Sequence, residues 1–245
     1  MKQKKANEYS IKKMMQILPQ YYLFAFLITG VILFGLAYFF KVLGEPMKGD
    51  FSGPELFTGF FFLLLGWTSF RETFWMMLQN GISRRTMLVS LLVAGAVGAV
   101  LGAVLDTVLI KWVESWVSGY HLVYHKPIID AFLIKGWAEI PITAFFRLLT
   151  NLGMYITGTL LGALFYRMEG RVKTFFIAFC VLLVMAFGGL YSINEQAVDG
   201  ILSSVIQFTS SNALIYTLSS LFRMGLLAWI LWIVTSRAPI KTIPA

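Results

Sequence analysis

The sequence predicts an all-α, polytopic membrane protein with six transmembrane helices and both termini in the cytoplasm. Three observations carry that prediction. First, 58% of the 245 residues are apolar and 13% are charged, and the mean hydropathy is +0.76. That balance lies outside the usual range of soluble domains. Second, six segments approach or exceed the roughly 20 apolar residues with which a helix crosses a hydrocarbon core of about 30 Å. They are Tyr21–Phe40, Leu56–Phe70, Met87–Ile110, Ile140–Phe165, Thr174–Ser192 and Ala213–Val234. Third, the cations are unevenly divided between the connections. With the N-terminus inside, the inner segments hold Lys2, Lys4, Lys5, Lys12, Lys13, Arg71, Arg84, Arg85, Arg167, Arg171, Lys173, Arg237 and Lys241. The outer segments hold only Lys41, Lys48, Lys111, Lys126 and Lys135. This is the positive-inside asymmetry of a plasma-membrane protein.

The spans occupy most of the chain, so residues 1–245 read as a single transmembrane domain. It divides into an N-terminal elbow helix (1–19), a six-span bundle (20–238) and a short cytoplasmic tail (239–245). The net charge of +8 sets topology and favours anionic lipid headgroups; its distribution argues against nucleic acid as a partner.

In chain order, Ile11, Met14, Met15 and Leu18 fall at i, i+3, i+4 and i+7, with Lys12, Lys13 and Gln16 on the other face. That pattern predicts an amphipathic helix lying in the interface. Pro19 separates it from the first span. That span follows lysines, as a secretory signal would, but is too long and lacks a small-x-small site, so it is expected to remain. The second span is short unless it begins near Gly53 or runs on to Phe74. The third contains Gly95, Gly98 and Gly102, the last two forming a GxxxG that would let another helix approach closely. The outer region 111–139 carries Trp112, Trp116, Tyr120, Tyr124 and Trp137, aromatic rings suited to the headgroup level. His121 and His125 share a helical face there, but no cysteine or third histidine joins them. An aromatic interfacial helix is favoured over a metal site, and no metal is expected. The inner loop "RMEGRVK" is tight and basic, and the outer segment after the fifth span has Val198, Ile201, Leu202 and Val205 at helical spacing. Cys180, the lone cysteine, falls mid-span and reads as a small buried hydrophobe.

No P-loop, H-E-x-x-H, G-x-S-x-G or paired-cysteine motif is present, so catalysis has no constellation and the chain is not expected to be an enzyme. Charges within spans are costly and usually face protein or water. Arg223 falls roughly 15 Å into the last span, Arg147 roughly 10 Å into the fourth and Asp106 roughly 6 Å from the outer end of the third, at about 1.5 Å per residue. Asp106 and Arg147 are close enough in depth to pair; the alternative for Arg147 is snorkelling to the outer interface. Arg223 is too deep for that, and is expected at a helix–helix interface or a polar cavity.

The stretch "FRETFWMMLQNGISRRTMLVS", residues 70–90, lies on the inner side. Phe70, Phe74, Met77 and Leu78 define an apolar helical face, with Arg71, Glu72 and Gln79 elsewhere. Asn80-Gly81 predicts a helix stop and Ser83 the cap of the next helix. The expectation is a short helix of about two turns, a sharp break, and a new span. Its bland role is an interfacial anchor; its functional role is docking of a cytoplasmic partner.

That pattern, a Glu-bearing helix followed by "NGISRRT" and a small-residue-rich span, resembles the permease subunits of ABC-2-type transporters. The elbow helix, the six spans and the inside termini agree. The resemblance implies that residues 70–79 form a cytoplasmic coupling helix seated on a separate ATPase subunit. Glu72, Phe74, Trp75, Leu78, Asn80, Gly81, Ser83, Arg84 and Arg85 would then form or frame the contact, and Arg167, Glu169 and Arg171 a second one. ATP and magnesium would be bound by the ATPase and no cofactor by this chain. The other implied partners are a second permease chain, identical or homologous, and membrane lipids. Export of a peptide, lipid-like molecule or drug is the implied activity. A non-transporting immunity or sensor component that binds a peptide is the rival; it would have no need of a coupling helix.

Overall fold

The computed structural model describes residues 54–116, 139–176 and 213–236, together with ten isolated positions from Glu8 to Val31 and from Ala178 to Leu182. Four long helices carry the fold: α1 (Pro54–Gln79), α2 (Arg84–Trp116), α3 (Glu139–Arg167) and α4 (Ala213–Ser236). No strand occurs among the described residues. Three stretches are long and apolar enough to cross a membrane: Arg84–Val108, Ile140–Arg167 and Ile215–Ser236. They match the third, fourth and sixth expected spans to within a few residues.

α1 departs from expectation. The second span and the short helix after it form one unbroken 26-residue rod. The separate coupling helix is absent because no Gly or Pro lies between Gly66 and Gly81 to stop α1. The apolar face of residues 70–77 also has a dry seat to fill: Phe70 and Phe74 are fully buried and Met77 nearly so. Phe70 stacks on Phe74 at 5.2 Å, and Phe74 meets Tyr166 at 4.9 Å.

α1 ends where Asn80 and Gly81 predict. Gly81 takes a φ of 67°, which costs a residue with a Cβ about 1–2 kcal/mol. Ile82 N–H then donates to Met77 O at 2.9 Å, closing a Schellman-type cap whose apolar contact is Ile82 against the core around Met77. Asn80 Nδ2 donates to Met76 O at 2.7 Å. α2 starts two residues later, with Thr86 N–H donating to Ser83 Oγ at 3.2 Å, an N-cap bond.

The contacts fix the direction of each helix. α1 and α3 run parallel, since Gly59 faces Met154 and Gly162 faces Trp67. α2 is antiparallel to both: Gly95 faces Tyr155, and Asp106 meets Asn151 further toward the start of α3. α4 is parallel to α3, with Tyr216 near Thr150 at one end and Val234 near Arg167 at the other. Residues 170–176 are helical, and the Phe176 ring meets Phe165 at 5.4 Å.

With little hydrophobic drive between helices in lipid, close backbone approach and interhelical hydrogen bonds must hold the bundle. Gly158 lies against Leu63 O, Gly66 against Tyr155 O, and a Cβ on Gly162 would come within 2.7 Å of Trp67 O. Gly95 receives the ring of Tyr155. The hydroxyls of Thr107, Thr150, Thr157 and Thr159 return to carbonyls one turn back on their own helices, which satisfies them away from water.

At the N-terminus, Glu8, Tyr9, Lys12, Gln16, Ile17 and Gln20 are helical. Ile17 is half-buried and packs against the cluster of Phe62, Leu65, Ala94 and Tyr155. The stripe Ile11, Met14, Met15 and Leu18 lies outside the described residues, as do most of the first and fifth expected spans, His121, His125, Cys180 and the tail.

Candidate functional site

Two places gather the residues that the sequence singles out. The first is the end of the bundle where α1, α3 and α4 finish and α2 begins. Two arginines there hold the C-terminus of α4. Arg84 Nη1 donates to Ser236 O at 2.7 Å, and Arg167 Nη1 to Val234 O at 3.2 Å. Arg85 stands over the Trp232 ring, 5.9 Å from its centroid. The last carbonyls of a helix have no partner within it and carry the negative end of its dipole. Cations from α2 and α3 satisfy them here, and the cation–π contact adds to the tie. The α1–α2 turn is thereby linked to α4, on the far side of the sequence.

On this end, Gln79, Asn80, Gly81, Ser83 and Arg85 are exposed and Arg84 is half-buried. Arg71 is exposed about two turns back along α1. Beside them, α3 passes through Met168 and Glu169 alone before helix resumes at Gly170, where Lys173 N–H donates to Glu169 O at 3.0 Å. Arg167, Glu169 and Arg171 are exposed on that turn. Phe74 is not at the surface, being fully buried against Phe70 and Tyr166. The side chains of Glu72, Trp75 and Leu78 lie outside the described residues. The site that remains is basic and polar: a capped turn with cations around it, next to a second short turn.

No family model, curated protein or solved structure matches this chain. The functional reading rests on its own geometry.

The second place lies within the stretches that are long and apolar enough to cross a membrane. Asp106 and Arg147 are 2% and 3% exposed, so Arg147 does not snorkel to an interface. Asn151 Nδ2 donates to Asp106 Oδ2 at 2.8 Å. Arg147 precedes Asn151 by one helical turn, on the face of α3 that α2 covers. Nothing in the sequence reading pointed to Asn151, although its i+4 spacing from Arg147 was available. Arg223 differs: it is exposed on α4, with Nη2 3.6 Å from where a Cβ on Gly153 would stand.

The glycine expectations are met unevenly. Gly95, Gly98 and Gly102 are all buried in α2, and Gly95 has the tight neighbour, the Tyr155 ring. The closest backbone approaches belong to Gly66, Gly158 and Gly162, which the sequence reading passed over. "GTLLG" at 158–162 is itself a GxxxG, and that signal would have found two of them.

Proposed function

We propose that this chain is the permease subunit of an ATP-binding cassette exporter, paired with a second permease chain and driven by an ATPase on a separate polypeptide. One observation carries the proposal: the exposed turn at residues 80–83 is mechanically continuous with three helices. It is the rigid junction of α1 and α2, and Arg84 and Arg85 extend its grip to the end of α4. A partner that moves this turn moves α1, α2 and α4 together. A loop serving only to reverse the chain would need no such connections.

ATP and magnesium would act on the partner alone. Its closure would press on the α1–α2 turn, with Arg71, Arg85 and Arg171 offering charge to acidic residues at the rim of its groove. Because α1 is unbroken, the push would travel along the helix and not through a hinge. The docking surface would thus be the end of a long rod, with Phe74 transmitting force from inside the core. Alternating access of the paired permeases would follow.

The test is co-purification with an ATPase encoded beside this chain. Wild-type protein should retain the ATPase through size-exclusion chromatography. A double reversal, Arg71→Glu with Arg85→Glu, should weaken the association by about tenfold or more, since each tenfold is about 1.4 kcal/mol and truncated interfacial charge pairs lose more than that. If the wild-type chain is stable and active with no ATPase bound, the proposal fails.

A further inference from the structure

We propose that Arg223 receives the anionic group, a carboxylate or a phosphate, of an amphiphilic ligand beside Gly153, within the apolar stretches of α3 and α4. A transported ligand presupposes the permease function proposed above. Gly153 is the midpoint of the apolar stretch Ile140–Arg167, roughly 20 Å from either end at about 1.5 Å per residue. The Arg223 guanidinium lies beside it, with Nη2 3.6 Å from the Cβ position. Asn151, two residues before Gly153, meets Asp106 two residues from the end of the apolar stretch Arg84–Val108, so the charge sits inside the apolar zone, nearer the end where α3 and α4 begin.

The surroundings form a polar seam. Tyr216, Ser219 and Arg223 recur at i, i+3 and i+7 on α4, and Thr150, Gly153 and Thr157 at the same spacing on α3. The seams meet where Thr150 Oγ1 and Tyr216 OH lie 3.4 Å apart. Ser219 and Thr157 donate to the carbonyls of Tyr216 and Gly153 on their own helices. The guanidinium is thus the main donor left for a ligand, and it makes no hydrogen bond or ion pair among the described residues. Its five N–H groups accept nothing, so an incoming partner must bring acceptor oxygens.

Among the described residues no acidic side chain pairs with Arg223. The apolar segments 21–40 and 174–192 contain no Asp or Glu, and Asp106 is buried on α2 with Asn151. A second copy related by a two-fold axis along this face would set Arg223 against itself. Lipid tails cannot solvate it. An anionic headgroup entering between α3 and α4, with its chain along Leu226, Trp229 and the other exposed apolar residues of α4, satisfies both the charge and the surface around it.

Full-length protein in nanodiscs of neutral phosphatidylcholine would be titrated with a fluorescent long-chain carboxylate and with its methyl ester. The wild type should prefer the carboxylate by about tenfold or more. Arg223→Gln should abolish the preference and Arg223→Lys keep most of it. Ser219→Asp, at an exposed position one turn away, should also abolish it by supplying an internal anion; it decides the matter if Arg223→Gln does not fold. Equal binding of acid and ester by the wild type, or an unchanged preference in Arg223→Gln, overturns the proposal. So does selective loss of carboxylate binding when phosphatidylglycerol is added to the discs, which would assign the seat to a resident lipid. ATPase co-purification measured on the same preparations separates the two proposals. Arg223→Gln should keep the ATPase, and a wild type that prefers the anion but binds no ATPase would sink the permease function while leaving this site standing.

Discussion

The seam between α2 and α3 and the seam between α3 and α4 share a helix and a depth, yet they treat charge in opposite ways. Across α2–α3, Asp106 and Arg147 are buried, Asn151 bonds to Asp106, and the Tyr155 ring fills the space over Gly95. Across α3–α4, Arg223 stays exposed beside a glycine and much of α4 is uncovered, including Phe222 and Trp229. A buried, hydrogen-bonded charge in a bundle specifies which helices pair. An exposed charge at the same level does nothing for packing and calls for a ligand. The contrast separates a scaffold half, α1 to α3, from a half built to meet something else.

Changes to the scaffold half should have the largest effects. Gly158→Leu would place a side chain where Leu63 O lies and should cost about 3 kcal/mol or more, seen as loss of monodisperse protein in detergent. Asp106→Ala strands the Asn151 amide in a buried place and should cost about 1–3 kcal/mol, read as a lowered Tm. Gly81→Ala should cost about 1–2 kcal/mol through its positive φ, again as a fall in Tm, because a Cβ there meets no neighbour. At the other extreme, Arg223→Gln should leave Tm nearly unchanged. A large fall in Tm for that variant would erase the distinction between the two seams.

How far the sequence announced these features depends on the range of the interaction. The ends of α1 and α2 are local: Asn80, Gly81 and Ser83 act on backbone groups a few residues away, and their roles were legible. So were the third, fourth and sixth spans, which composition alone marks. The unbroken α1 was not, because whether residues 70–79 lie along the membrane or continue the rod depends on Tyr166 and Met87, far away in sequence. The same holds for the glycines. A GxxxG says that a helix can be approached closely but not by which partner, and two of them lie in the described helices, at 98–102 and 158–162. Arg84, Arg85 and Arg167 were legible as cations grouped at one end of the spans, while their hold on α4 required the parallel arrangement of α3 and α4. No sequence pattern shows that Arg147 is covered and Arg223 is not.

The claim at the centre of the account is that the turn at residues 80–83 docks an ATPase. A photoreactive amino acid at Ser83, with a second at Val108 as a membrane-level control, tests it in intact membranes. Cross-linking of the Ser83 probe to an ATPase chain, lost on removal of that ATPase and absent from Val108, is the predicted result. A Ser83 probe that captures only lipid, in membranes where the ATPase is present and the chain is functional, would contradict it.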